Sequence, residues 1–134
     1  MTPIPDRYVM AKPKRQTSKR EPESFLPLTP RTFHILMALA REECHGYAIM
    51  GAVRERSGGR VRIGPGTLYE AIQRLVASDL IVESTTRPGP DEDQRRRYFG
   101  LTDLGKAVLR AEAQRVVDLA SQLTDDGLLA ALDG

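Results

Sequence analysis

The chain reads as mainly α with a small β-hairpin, on three observations. Three short segments with helical apolar spacing lie before residue 80. Two extended stretches, "IVESTTR" and "RRRYFGL", then flank a loop of proline, glycine and acidic residues. A longer last segment repeats apolar residues every three or four positions. The order helix, helix, helix, hairpin, long helix describes a winged helix-turn-helix followed by a C-terminal helix.

Length and composition set the outer limits. The 134 residues suit one domain, and 40% hydrophobic content supplies one modest core. Domains of this size often pair with a second copy. No apolar run is long enough for a transmembrane helix, and the start "MTPIPDRYVMAKPKRQ" lacks the apolar stretch of a secretory signal. The single cysteine, Cys44, excludes an internal disulfide, and no Cys/His cluster has metal-ligand spacing. The expected location is cytoplasmic, at the nucleoid, with no membrane partner and no cofactor.

The net charge of +2 is unevenly spread: residues 1–27 carry six basic and three acidic side chains, and the rest of the chain is almost balanced. Global charge therefore gives no argument for a polyanion partner, and local clusters must carry one. Residues 1–27 are rich in proline, lysine and arginine. They are expected to form a disordered basic arm, either a solvated tail or a strap along DNA, with Phe25 and Leu26 docking on the body. Residues 28–102 form the winged helix-turn-helix, 103–124 a dimerisation helix and 125–134 a tail with a final turn.

Thr29 caps the first helix and Pro30 suits its first position. Phe33, Leu36, Met37 and Ala40 are its buried face, Arg41, Glu42 and Glu43 its solvated end, and Gly46 its left-handed stop. The second helix spans about Tyr47 to Ser57, with Tyr47, Ile49, Met50 and Val53 inward, and Gly58-Gly59 ends it. "RVRI" reads as a short extended piece with Val61 and Ile63 facing one way.

The stretch "GPGTLYEAIQRL" opens the third helix. Pro65 starts it without losing a needed N–H, and Gly66 keeps its first turn free of bulk. Leu68, Ile72, Leu75 and Val76 form the inward stripe. Opposite lie Thr67, Glu70, Gln73 and Arg74, with Tyr69 at the border. This is a face suited to enter a major groove by its amino end. Gln73 has the two donor–acceptor groups that match adenine, Arg74 matches guanine or a phosphate, and the Tyr69 hydroxyl matches a phosphate. Glu70 is the weakest member, because phosphates repel a carboxylate; Arg74 can instead pair with it along the helix.

At the wing, Arg95, Arg96 and Arg97 form the densest basic cluster. Either they rest on the DNA backbone or minor groove, or they balance Asp91, Glu92 and Asp93 at the tip. Arg54, Arg56, Arg60 and Arg62 extend the positive edge. Thr102 caps the last helix, whose start closes the core with Leu101, Leu104 and Val108. Leu109, Ala113, Val116, Ala120 and Leu123 follow at heptad-like spacing. With Phe33 and Met37 they make the expected interface with a second copy; packing within one domain is the alternative. His34 and His45 read as structural histidines, and Cys44 as a buried apolar group rather than a redox switch.

The segments "LTPRTFHILMALAREECHGYAIM", "GPGTLYEAIQRLVASDLI" and "RRRYFGLTDLGKAVL" resemble the PadR family of bacterial transcriptional regulators over roughly residues 28–123. The resemblance implies a homodimer, held by the last and first helices, that represses transcription from a palindromic operator. It places Thr67 and Tyr69 on the DNA backbone, the exposed side of 66–74 in the groove, and the wing beside it. Gly64 stands where the family motif usually has serine, and glycine offers no side-chain hydroxyl. The short C-terminal part resembles the smaller subgroup with one dimerisation helix. Some relatives take phenolic or planar drug-like effectors at the dimer interface, so a small-molecule effector is implied as an option.

Two other function classes compete. A winged-helix adaptor that binds protein rather than DNA fits the near-neutral body, but not the arginine cluster and the clean groove face. An enzyme would need a nucleophile–base pair, a metal box or a phosphate loop. None is present, and "GPGT" is too short for a nucleotide loop.

Overall fold

The computed structural model describes residues 20–84 and 97–133. After a 3-10 turn (Pro22–Phe25) come α1 (Pro30–Arg41), β1 (Cys44–His45), α2 (Gly46–Arg56), α3 (Pro65–Ala77), β2 (Ile81–Glu83), β3 (Tyr98–Leu101), α4 (Asp103–Asp125) and α5 (Leu128–Leu132). The three strands form an antiparallel sheet with β3 in the middle. Cys44 faces Phe99 on one side of it, and Ile81 faces Leu101 on the other. Helices α1–α3 and the sheet enclose one core, in which Ile35, Leu36, Ile49, Val53 and Val108 are fully buried.

Local sequence starts each helix. The Thr29 hydroxyl accepts from the Thr32 N–H at 3.1 Å ahead of Pro30, and α1 follows. Its buried side is Ile35, Leu36, Ala38 and Leu39; Phe33 and Met37 are half-buried and Ala40 is exposed. Residues 35–40 are apolar on every side, so spacing alone could not fix the helix's rotation. Packing against α2, α4 and β3 fixes it. The expected left-handed stop at Gly46 is corrected. The helix ends at Arg41, Glu42 is extended, and Gly46 is the first residue of α2. The intervening residues are used by β1, where Cys44 and His45 pair with Phe99 and Tyr98.

His45 caps α2: its Nδ1 accepts from the Ala48 N–H at 3.2 Å, and its ring meets Tyr98 edge-on at 5.2 Å. Ile49 and Val53 face inward, whereas Tyr47 is 75% exposed, against the expected inward position. Gly58 and Gly59 both take positive φ, which glycine adopts without a Cβ penalty, and they end the helix. Residues 60–63 are not a strand. The Ser57 hydroxyl accepts from the Val61 N–H at 2.9 Å, which shapes a loop that buries Ile63.

Helix α3 buries Leu68, Ala71, Ile72 and Leu75. Val76, expected inside, is exposed because the stripe ends with Leu75. Thr102 then joins the end of α3 to the start of α4. Its hydroxyl donates to the Asp79 carbonyl at 2.6 Å and accepts from the Gly105 N–H at 2.9 Å. A Cβ at Gly105 would collide with the Leu80 carbonyl oxygen, so the two backbones meet at van der Waals distance only because that position is glycine.

The first half of α4 packs on α1 and on the 3-10 turn. Phe25, Leu26 and Leu28 lie against the core, and Arg20 donates to the Ser78 carbonyl at 2.9 Å, so residues 20–27 belong to the packed body. Residues 1–19 of the expected arm lie outside the described residues. Beyond Glu112, α4 and α5 run largely exposed.

Candidate nucleic-acid interface

Pro65, Gly66, Thr67, Tyr69, Glu70, Gln73 and Arg74 are all exposed on α3, so one continuous outer face carries every residue expected there. The first turn is open. Gly64 caps it without a side-chain hydrogen bond, and nothing stands within 4 Å of a Cβ built at Gly64 or Gly66. The protein's own packing therefore does not require small residues at this mouth. Tyr69 is half-exposed at the border of the face.

Arg97 sits at the root of the wing, beside this face. It shares an apolar cleft of about 300 Å³ with Tyr47, Pro65, Leu68, Tyr69 and Phe99. Its Nη2 donates to Glu83 Oε1 at 2.9 Å, and its guanidinium lies 5.5 Å from the Phe99 ring centroid. The Glu83 carboxylate strengthens its hold on its proton, and the nearby Tyr69 hydroxyl adds to this. The wing root and α3 thus meet at one cleft, which Arg97 and Tyr69 both line. Arg95 and Arg96 lie outside the described residues, as does the acidic tip.

Of the expected interface with a second copy, Phe33, Met37 and Leu109 are half-buried, while Ala113, Val116, Ala120 and Leu123 line exposed positions of α4. Val117, Leu119, Leu128, Leu129 and Leu132 are also exposed, so the apolar surface is broader than the seam read from spacing. Tyr47, expected inward on the second helix, is exposed and lines the cleft with Tyr69 and Arg97. Its aromatic ring counted as apolar, and only the rotation of α2 reveals it.

Cys44 is buried, and that desolvation, with the nearby Glu42 charge second, pushes its thiol up to about 11. A thiol so protonated is a poor nucleophile, in line with a packing role. Among the described residues no cluster of His, Cys, Asp or Glu could hold a metal ion, and no helix is long and apolar enough to cross a membrane.

Comparison with known proteins places this architecture. The transcriptional regulator PadR-like family matches residues 35–111, more than half of the chain. A 37.1 kDa protein in transposon TN4556 of Streptomyces fradiae is 38% identical over 94 residues, 70% of this chain. The match spans only 25% of that relative's length. A PadR family transcription regulator from Clostridium difficile R20291 superposes with a TM-score of 0.60 at 26% identity, covering 72% of this chain and 97% of that one. Bacillus subtilis PadR, solved in complex with operator DNA, gives a TM-score of 0.53 at 26% identity, over 63% of this chain and 46% of that one. The family match runs from within α1 into α4, and the chain belongs to the PadR-like family of transcriptional regulators.

Proposed function

We propose that this regulator binds double-stranded DNA as a homodimer, laying α3 in the major groove of each half of a palindromic operator, and that it acts as a repressor. The observation that carries the reading is the continuous exposed face of α3, open at its amino end and adjoining the wing root where Tyr69 and Arg97 line one cleft. The operator complex of the B. subtilis neighbour supports it. In a two-fold dimer the half-sites lie about 10 bp apart, or a multiple of that, because paired helices enter successive grooves on one side of the duplex. Release by a small effector rests on a recess of about 670 Å³ between α1, β3 and α4. It is lined by Leu39, Leu101, Lys106 and Arg110 and adjoins Leu109 and Ala113 of the expected seam.

Footprinting on the promoter upstream of the protein's own gene tests the proposal. A protected two-fold site is the expected result. In binding assays on that site, Tyr69→Ala weakens affinity for all sequences alike, and Gln73→Ala relaxes preference at particular base pairs. No protection on any promoter fragment, with an intact dimer, would leave the protein-binding adaptor as the better reading.

A further inference from the structure

Next to the cleft that holds Tyr69 and Arg97, a second one opens along α2. Tyr47, Arg54 and Arg62 line it, with Gly51 and Ile63 among its walls and a volume of about 210 Å³. Tyr47 and Arg54 are seven residues apart, nearly two full turns, so they share one side of the helix. Gly51 lies between them, and nothing stands within 4 Å of where its Cβ would be, so that side is clear for an approaching group.

The chemistry of the cleft is cationic and unspent. Both arginines are exposed, and among the described residues neither has an acidic partner. Among the described residues Arg62 uses its Nε alone, donating to the Gly59 carbonyl at 3.3 Å. The phenol of Tyr47, 75% exposed, adds a neutral O–H donor at the rim. Guanidinium forks and a phenol match the tetrahedral oxygens of a phosphodiester. The cleft is also continuous with the groove face: Tyr47 and Met50 wall both this cleft and the one holding Pro65, Tyr69 and Arg97.

We infer that Tyr47, Arg54 and Arg62 hold one backbone phosphate of the bound duplex, a second anchor that fixes how deep and at what register α3 sits. The inference rests on the proposed DNA binding and adds to it a contact made by α2 and the loop that follows it.

The test uses the intact chain and a fluorescein-labelled duplex of scrambled sequence, with anisotropy read across a salt series. Arg54→Gln with Arg62→Gln flattens the slope of log K against log salt by about one unit, the release expected for one phosphate contact. The same loss of charge at Arg31 and Arg41 on α1, Arg31→Gln with Arg41→Gln, leaves the slope unchanged. Tyr47→Phe weakens binding several-fold at constant slope, because a neutral donor is lost. Arg54→Lys with Arg62→Lys keeps the slope and loses affinity, since ammonium groups lack the fork. Thermal melts that overlay the parent confirm that each variant is folded. Equal slopes for the α2 and α1 pairs would overturn the inference while leaving DNA binding intact. A parent chain that binds no duplex would remove both.

Discussion

Arg97 reaches across the root of the wing to Glu83, Nη2 to Oε1 at 2.9 Å, with its guanidinium over Phe99 and in the cleft that Tyr69 also lines. Both partners are about half-exposed, so the pair adds little to stability; its effect is orientation. One edge of the guanidinium is spent on the wing, and the group is held against the border of α3.

Replacing Arg97 therefore separates charge from geometry. Arg97→Ala lowers the salt slope of operator binding by about 0.9, one phosphate contact. Arg97→Lys retains the slope yet binds several-fold more weakly, because lysine cannot hold Glu83 while lying flat over Phe99 as the planar guanidinium does. Anisotropy titrations at several salt concentrations read both numbers. Parent-like affinity in the lysine variant would show that only the charge matters.

Gly105 tests how tightly α4 is seated. A methyl group there meets the Leu80 carbonyl oxygen, a backbone atom that cannot rotate away. Gly105→Ala costs about 1–3 kcal/mol, the usual range for forcing extra volume into a packed site, although alanine is the better helix former. Thr102→Val removes the cap and the bond to the Asp79 carbonyl and costs about 0.5–2 kcal/mol. Melting temperatures followed by circular dichroism measure both. An unshifted Gly105→Ala melt would mean that α4 yields at its first turn.

The parts of this fold visible in the sequence are those decided by near neighbours. Thr29 before Pro30, Thr102 before Asp103, and the Gly58-Gly59 pair each bring their own capping or stopping chemistry, and the structure uses all of them. What stayed hidden depends on distant partners. Strand β1 is two residues long and exists because Phe99 and Tyr98 lie beside it, some fifty positions on in the chain. With β1 unseen, Gly46 looked like the end of one helix when it begins the next. The outer face of α3 was legible because polar and apolar residues alternate sharply around it. The face of α2 was not, because tyrosine, glycine and arginine give no such contrast. Glu112 was overlooked for the opposite reason: a carboxylate in an apolar seam is expected to point outward.

Glu112 instead is buried, 2% exposed. Its oxygens accept two bonds from Arg115 at 2.8 Å and one from the Leu28 N–H at 3.4 Å, tying the segment ahead of α1 to α4. Arg115 holds the carboxyl below its ordinary value, with the Leu28 bond a smaller aid against the cost of burial. A folded value below the unfolded one means stability that is present above about pH 4.5 and lost as the pH falls through the lowered folded value. Glu112→Gln keeps the shape and removes the charge. Its melting temperature falls several degrees below the parent's at neutral pH, and the gap closes as the pH drops below about 4.5. A gap that is constant from neutral pH to pH 3 would assign the loss to packing instead.

The exposed apolar positions of α4 make the last prediction. Val116 and Leu123 are 38% and 39% exposed, and they lie on the side shared with Ala113 and Ala120, whose small side chains admit close approach of another helix. A lone helix would leave this surface in water, at about 25 cal/mol for each Å² of apolar area, whereas a second copy related by two-fold symmetry covers it with itself. Val116→Lys with Leu123→Lys places like charges across that axis and yields monomers in sedimentation equilibrium, with operator affinity falling because each half-site is then bound alone. Glu112 and the core beneath it are untouched, so a folded monomer is the expected product. Dimers that persist in the double variant would move the interface elsewhere, with the apolar residues of α5, Leu128, Leu129 and Leu132, as the next surface to charge.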